Sequence, residues 1–477
     1  MSTSSSPRGL AGVAWAFGLG FFAVAAVVAF GVVQMYLVMA QQAFGGGLAV
    51  PLVFWGGLAA LACLAWIGMR RPASLEGPLP VALGLAMLLA TRGLASWYLD
   101  GPLVSDFLEY HDLALAAARG GPWFSDLRPM GYPLLKAAGF AVLGPVPWFG
   151  EALNLFLAAV TGTFLYLWAR RIWGAAAAVL ALWLYAFTPA HALMAAVQGT
   201  EIPYAAAFMG ALWALAAAPP WVAGLMLGLS QYVRPTSLIL VPAVALYYRS
   251  WKPLLAFGVA VLLVLAPVVG WNWQTHHKLS LSTSTYGGWS LLVGTNQVSN
   301  GFWNLDDTIL VNKLPFDQRD QFAREEAKRR VLSDPLGFGA LALRKFGFLW
   351  GAEDFGTYWT LGVRPQADQR PATALYLLSQ AAYCLILVLA GVGLWLERRR
   401  PAEPVVLALL GLASLVAAHT FLEVQSRYHF YWTPVFAGLA GVGLLRLWEA
   451  VTPRAGSRPD PAPAPATSPA PLPGPTP

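Results

Sequence analysis

The sequence predicts an all-α polytopic membrane protein with about twelve transmembrane helices. Three observations lead there. Apolar residues make up 57% of the 477-residue chain and charged residues 11%, outside the range of soluble domains. Several apolar runs reach the roughly 20 residues that a helix needs to cross a hydrocarbon core. The cations gather in short segments between those runs, as the positive-inside rule describes.

The spans fall at Leu10–Val38, Leu48–Met69, Pro80–Trp97, Glu151–Trp168, Ala175–Phe187, Ile202–Ala218, Trp221–Val233, Thr236–Tyr248, Pro253–Trp271, Ala374–Leu396, Val405–Phe421 and Phe430–Leu447. They divide the chain into N-terminal spans (1–97), an acidic loop with amphipathic helices (98–150), a membrane core (151–271), a second loop region (272–373), C-terminal spans (374–448) and a tail (449–477). Arg8, Arg70-Arg71, Arg170-Arg171, Arg249 with Lys252, Arg398-Arg399-Arg400, and Arg454 with Arg458 then share one side, the cytoplasm by the positive-inside rule. The polar stretches Asp100–Gly150, Pro189–Glu201, Asn272–Thr373 and Glu423–His429 share the other. The N-terminal MSTSSSPRGL and the apolar run after it read as a signal anchor.

The count depends on a break at Arg234-Pro235. Proline removes a helix donor and biases the residue before it away from helix, so Trp221–Tyr248 divides into two half-spans. An arginine near membrane depth is costly unless paired or beside a wet cavity.

The second loop region reads as a small mixed α/β region. Its first part, WNWQTHHKLSLSTSTYGGWSLLVGTNQVSNGFWN, has the aromatic, Thr, Ser and Gly content of short strands and turns. Asp317–Leu332 reads as a solvated helix with Glu325/Arg329 and Glu326/Arg330 at i, i+4. His276-His277 has no third ligand at metal spacing. Cys63 and Cys384 lie inside apolar runs and imply packing rather than a disulfide framework. The net charge of +7 sits at span ends and in one loop, which points away from nucleic acid. Pro453–Pro477 is Pro/Ala-rich and has no residues with which to bury a core.

The stretch Ser105–Pro133 (SDFLEYHDLALAAARGGPWFSDLRPMGYP) carries Asp106, Glu109, Asp112 and Asp126 between apolar segments, with Arg128 and Lys136 beyond. As a helix from Asp106, it places Asp106, Glu109 and Tyr110 on one face. Gly120-Gly121-Pro122 ends that helix.

Asp106-x-x-x-Tyr110, followed by Pro129-x-Gly131-Tyr132-Pro133, resembles the GT-C membrane glycosyltransferases, within them the protein O-mannosyltransferase and aminoarabinose transferase type. GLMLGLSQYVRPTSLILVP (Gly224–Pro242), STYGGWSLLVGTNQVSNGFW (Ser284–Trp303) and SRYHFYWTPVFAGLAG (Ser426–Gly441) are similar to that family's Arg-Pro helix, its external Gly/Asn motif and the Arg-Tyr that opens its last span. The resemblance runs in order from Asp100 to Leu447. It departs in two extra spans before the acidic loop. The carboxylate-rich partner motif survives only as Asp126 and Arg128, which leaves the second acid open.

The resemblance implies an inverting transfer of a sugar from a polyprenyl-phosphate donor to a lipid, polysaccharide or protein acceptor. The reaction would lie on the non-cytoplasmic face of the plasma or inner membrane. Arg234 and Arg427, at span ends, suit the donor phosphate through charge-assisted contacts. Asp106 is expected as base, since a partly desolvated carboxylate has raised proton affinity. Glu109 and Tyr110 would orient it or the acceptor, and Glu201 the sugar. Asp126, Arg128, Tyr132 and His429 complete the expected substrate contacts. No cofactor is certain from the residues, and metal dependence stays open, a divalent ion being compatible with the acids. A transporter or flippase for a lipid-linked or anionic substrate also uses intramembrane arginine and broken helices, but this chain has no visible repeat and its polar residues gather on one face. A non-catalytic scaffold fits the acid cluster and Arg234 less well.

Overall fold

The computed structural model describes residues 8–45, 75–99, 101–126, 128–248, 250–284, 287–364 and 368–451. The expected span Leu48–Met69, Cys63 and the tail beyond Val451 lie outside the described residues. The principal helices are α1 (Arg8–Phe44), α2 (Pro78–Tyr98), α3 (Asp106–Ala118), α4 (Gly131–Leu143), α5 (Trp148–Trp173), α6 (Ala175–Ala186), α7 (Glu201–Ala217), α8 (Pro220–Val233) and α9 (Val241–Tyr248). They continue with α10 (Trp251–His276), α11 (Gly287–Gly294), α12 (Leu305–Asn312), α13 (Phe316–Ser333), α14 (Pro335–Gly351), α15 (Gln369–Glu397), α16 (Glu403–Phe421) and α17 (Thr433–Val451).

The chain is an all-α polytopic membrane protein. Among the described residues, seven helical segments are long and apolar enough to cross a bilayer, namely α1, α2, α5, α10, α15, α16, and α17 with the turn before it. An eighth forms if α6 and the segment Pro189–Ala196, bent from it by 64°, act together. Of the other expected spans, α7 has 17 residues and α8 has 14, about 25 and 21 Å of helix at 1.5 Å per residue. The break between α8 and α9 falls at Arg234, whose backbone is extended (φ −146°, ψ 130°) as the following proline requires.

Helices that are apolar all round belong inside a bundle, and α6, α7 and α17 are buried along most of their length. Helix α17 packs on α6 and α15, and α1 lies along α15. On the other flank α6 packs on α5, α5 on α7, α7 on α8 and α8 on α10. The indole of Trp15 donates to the Leu394 carbonyl at 2.8 Å, and the Gln380 amide to the Ala29 carbonyl at 3.1 Å. These bonds fix α1 against α15.

The mixed α/β expectation for 272–373 is corrected: its described residues contain helices, turns and extended segments, but no strand. Residues 279–284 run without helix, yet their polar groups go to local and helix-end partners. The Asn272 amide donates to the carbonyls of Ser280 (2.9 Å) and Ser282 (3.0 Å), and the Thr283 hydroxyl to that of Gln231 (2.7 Å). Helix α13 forms as expected, but Arg329 pairs with Glu326 (2.6 Å), and Arg330 reaches both Glu326 (3.1 Å) and Asp307 of α12 (2.7 Å). That charge run therefore ties two helices together as well as meeting solvent.

Candidate active site

Helix α3 starts the site. Asp106 and Glu109 stand in its first turn, where carboxylates complement the helix dipole. Phe107, Tyr110 and Ala114, at i, i+3 and i+7, form the buried face. The helix ends as the glycines dictate. Gly120 takes φ +84°, and a Cβ on Gly121 would sit 2.6 Å from the Ala116 carbonyl oxygen. The chain turns there and brings Arg128 back over α3.

Arg128 donates from Nε to Glu109 Oε2 (2.6 Å) and from Nη2 to Asp106 Oδ1 (2.6 Å). Arg427, in the 3-10 turn Ser426–Trp432 that leads into α17, donates from Nη2 to Asp106 Oδ2 at 2.8 Å. Its Nη1 lies 3.5 Å from Glu201 Oε1. Glu201, in the first turn of α7, also takes Arg234 Nη2, while Arg234 Nε donates to the Thr200 hydroxyl at 2.8 Å. Three carboxylates and three guanidiniums thus alternate in one file: Glu109, Arg128, Asp106, Arg427, Glu201, Arg234. The file runs inward, since the Glu109 side chain is 49% exposed, Arg427 7% and Glu201 1%.

Neighbours hold the arginines. The Ser237 hydroxyl accepts from Ser230 (2.6 Å) and bonds the Tyr204 hydroxyl (2.7 Å), which accepts from Thr236 (2.9 Å). This network fixes the turn after Arg234. The Ser426 hydroxyl donates to Asp354 and anchors the turn before Arg427. The Arg427 guanidinium carbon lies 5.3 Å from the Trp359 ring centre and 5.8 Å from that of Tyr428, and that of Arg234 lies 5.6 Å from Tyr428. Two buried atoms in the file have no hydrogen-bond partner: Arg427 Nε and Glu201 Oε2.

Burial acts to raise the Asp106 carboxyl, as argued from sequence. The charges of Arg427 and Arg128 outweigh it and hold the group below its ordinary value. Glu423 behaves oppositely. It sits in the loop between α16 and the Arg427 turn, and burial pushes its carboxyl up against the opposing pull of Gln425 and Arg427, with Asp106 adding to the rise. Its backbone N–H donates to the Ser290 carbonyl at 2.8 Å, and its Oε1 accepts from Gln425 Nε2 at 2.7 Å.

Of the residues expected from sequence, the file contains Asp106, Glu109, Arg128, Glu201, Arg234 and Arg427. Tyr110 lies beneath it, with the Arg128 guanidinium 5.8 Å from its ring centre. Tyr132 is buried on α4, its hydroxyl donating to Asn154 Oδ1 at 3.2 Å. Asp126 accepts from or bonds to the ring of His276 at 2.8 Å, which joins the acidic loop to the end of α10. His429 is fully buried, its ring bonded to the Leu349 carbonyl and to Glu353. Sequence reasoning missed Thr200, Tyr428, Trp359 and Glu423. The first two adjoin singled-out residues in the chain, and Glu423 is a carboxylate in a short loop between spans. Nothing local distinguishes Trp359 among 21 tryptophans. Among the described residues, no group of three or more His, Cys, Asp or Glu side chains is placed to hold a metal ion.

No family model matches the chain, and no curated protein does. Among solved structures it is similar to the Archaeoglobus fulgidus oligosaccharyltransferase in the apo form, at 13% identity and TM-score 0.49, over 81% of this chain and 51% of that one. It is also similar to the archaeal oligosaccharyltransferase AglB of that organism in complex with an inhibitory peptide and a dolichol-phosphate (14%, TM-score 0.48, 78% and 50%). A third is ArnT from Cupriavidus metallidurans bound to undecaprenyl phosphate (13%, TM-score 0.37, 77% and 78%). The chain spans about half the length of the oligosaccharyltransferase structures that it matches.

Proposed function

We propose that this chain is an inverting membrane glycosyltransferase of the GT-C type, which moves a sugar from a polyprenyl-phosphate donor to an acceptor hydroxyl on the non-cytoplasmic face. The observation that carries the reading is the file itself. Arg427 bonds Asp106 of the acidic loop and, through the shared Glu201 carboxylate, stands beside Arg234 from another span end. The ordered motifs of the sequence support the same class.

The donor is a phosphodiester, so its phosphate carries one negative charge and its leaving group is a phosphate monoester. Cations at the phosphate stabilise the charge that develops as the bond to the anomeric carbon breaks. Arg427 and Arg234 supply them. The acceptor oxygen attacks the anomeric carbon from the side opposite the phosphate, the carbon–oxygen bond to phosphate breaks, and polyprenyl phosphate departs. The acceptor proton passes to Asp106, with Glu109 and Tyr110 behind it. Glu201 stands beside the arginines, where a sugar hydroxyl can donate to its free oxygen. The three charges of each sign leave no net charge in the file, so a bound anion must exchange partners rather than add to an open cationic patch.

The test is transfer of labelled sugar from a polyprenyl-phosphate donor in reconstituted membranes, with Asp106→Asn. The variant keeps shape but takes up no proton, and should lose about 10²–10⁴-fold in transfer rate while still binding donor lipid. Transfer at the wild-type rate would remove Asp106 as base. Movement of the lipid across the bilayer with no glycosidic bond formed would make the protein a flippase.

A further inference from the structure

We propose that the two arginines on Asp106 do different work: Arg128 is a positioning residue that keeps the carboxylate in place, whereas Arg427 releases it to take the donor phosphate. The inference rests on the glycosyltransferase reading and adds an order of events to it.

The hydrogen bonds separate the two arginines. Arg128 bridges two carboxylates one helical turn apart on α3, through Nε and Nη2, both at 2.6 Å. A phosphate arriving there would have to break a close bond on each side. Arg427 is less committed. It makes one close bond, to Asp106, and one longer ion contact of 3.5 Å to Glu201, and its buried Nε has no partner. A buried guanidinium donor without an acceptor is costly, and an anionic oxygen would remove that cost. Arg234 is held through Thr200 and Glu201 on the same side, so a phosphate between the two would meet both.

Loss of the Arg427 bond changes Asp106. Burial favours its neutral form, and Arg427 is the largest of the opposing influences, ahead of Arg128 and Arg234. The groups around it are Glu109 and Tyr110 on its own helix, Arg128 from the loop before α4, Glu201 from α7, and Arg234 at the end of α8. Arg427, Tyr428 and Glu423 face it from the last loop. When Arg427 turns to a phosphate, one cation is neutralised and burial gains weight, so Asp106 becomes the stronger base. The donor therefore binds first, and its binding prepares the proton acceptor. Arg128 stays bonded to Asp106 throughout.

The test uses the full chain in detergent and a short-chain prenyl methyl phosphodiester, which does not titrate between about pH 4 and 8. Calorimetry at about pH 5, in two buffers of different ionisation heat, reads the protons taken up on binding. Wild type should take up more protons than Asp106→Asn. Arg427→Ala should weaken binding about tenfold or more. Arg128→Ala and Arg128→Lys should bind the diester within about twofold of wild type, yet lose kcat at unchanged donor KM. Arg128→Ala should also move the acid limb of kcat to higher pH, because one of the charges holding Asp106 down is gone. Equal proton uptake in wild type and Asp106→Asn overturns the inference alone. So does a loss of binding in Arg128→Lys as large as that in Arg427→Ala. No binding of the diester by wild type overturns the glycosyltransferase reading and this inference with it.

Discussion

Asp106 and Glu423 are two acids in one electrostatic neighbourhood whose surroundings push them in opposite directions, and pH separates them. Asp106 is held below its ordinary value, burial notwithstanding, by Arg427 and Arg128. Its folded form therefore binds protons less readily than the unfolded chain does. The stability it contributes is present above the unfolded carboxylate range, about pH 4, and is lost as pH falls through the lowered folded value. Glu423 is raised, chiefly by burial, so the sign reverses. Its contribution is complete below about pH 4 and is lost as pH rises through its folded value. Glu423→Gln should accordingly raise the melting temperature at pH 7 and confer no such gain at pH 4. Asp106→Asn should lower it at pH 7 and close the gap to wild type on acidification. Thermal unfolding in detergent from pH 7 down to about pH 2, which passes below the unfolded carboxylate range, checks both, and parallel curves for the two variants would contradict the opposed shifts.

At the scale of helices, the position of the file depends on close crossings in the bundle beneath it. Helix α17 carries Arg427 at its N-terminal approach and packs on α15, and the two meet at glycines. A Cβ on Gly393 would fall 2.9 Å from the Gly443 nitrogen and against the Leu439 carbonyl. A Cβ on Gly443 would fall 2.9 Å from the Gly393 nitrogen and against the Leu389 carbonyl. The obstacles are backbone atoms, which cannot move aside as a flexible side chain does. Small residues at such a crossing let membrane helices approach. Gly393→Leu should therefore force α15 and α17 apart and cost about 1–3 kcal/mol or more, the usual range for overpacking. It should also lower transfer activity, because Arg427 would move away from Asp106. A Gly393→Leu protein with the wild-type melting temperature would show that the crossing is looser than these distances require.

For the whole molecule, direct bonds place four polar stretches together. Asp106 meets Arg427, Arg427 meets Glu201, Asp126 meets His276, and Glu423 meets Ser290. The proposed function puts that shared face outside, as expected from the loop charges by the positive-inside rule. Cysteines introduced at Gly120 and Val298, both exposed, should react with an impermeant maleimide added to intact cells. A cysteine at Arg399, in the exposed turn between α15 and α16, should react only after permeabilisation. Labelling of Gly120 but not Val298 in intact cells would contradict the Asp126–His276 bond that joins their loops. Labelling of Arg399 alone would invert the whole orientation.

Sequence by itself determined the membrane class, the helical character of most of the apolar runs, the break before Pro235, helix α3 with its acidic first turn, and helix α13. Each depends on composition or on neighbours within a few residues. Apolar run length decides whether a segment can cross a bilayer, proline acts on the residue before it, and glycines set the turn after α3. It also singled out the six charged residues of the file, Glu201, Arg234 and Arg427 as charges at span ends and Asp106, Glu109 and Arg128 as a charge cluster in one loop between apolar segments. Tertiary structure alone decided how they pair. Asp106 and Arg427 are 321 positions apart, and no local pattern says that Arg427 divides itself between Asp106 and Glu201. The same holds for the direction in which Asp106 shifts. Its burial was legible, but the two guanidiniums that outweigh burial arrive from a loop and from the far end of the chain. His429 was expected among substrate contacts and lies instead between Leu349 and Glu353 in the interior. The absence of strands among the described residues of 272–373 follows likewise, because a strand needs a partner edge, and the fold presents only helix ends and turns to that segment.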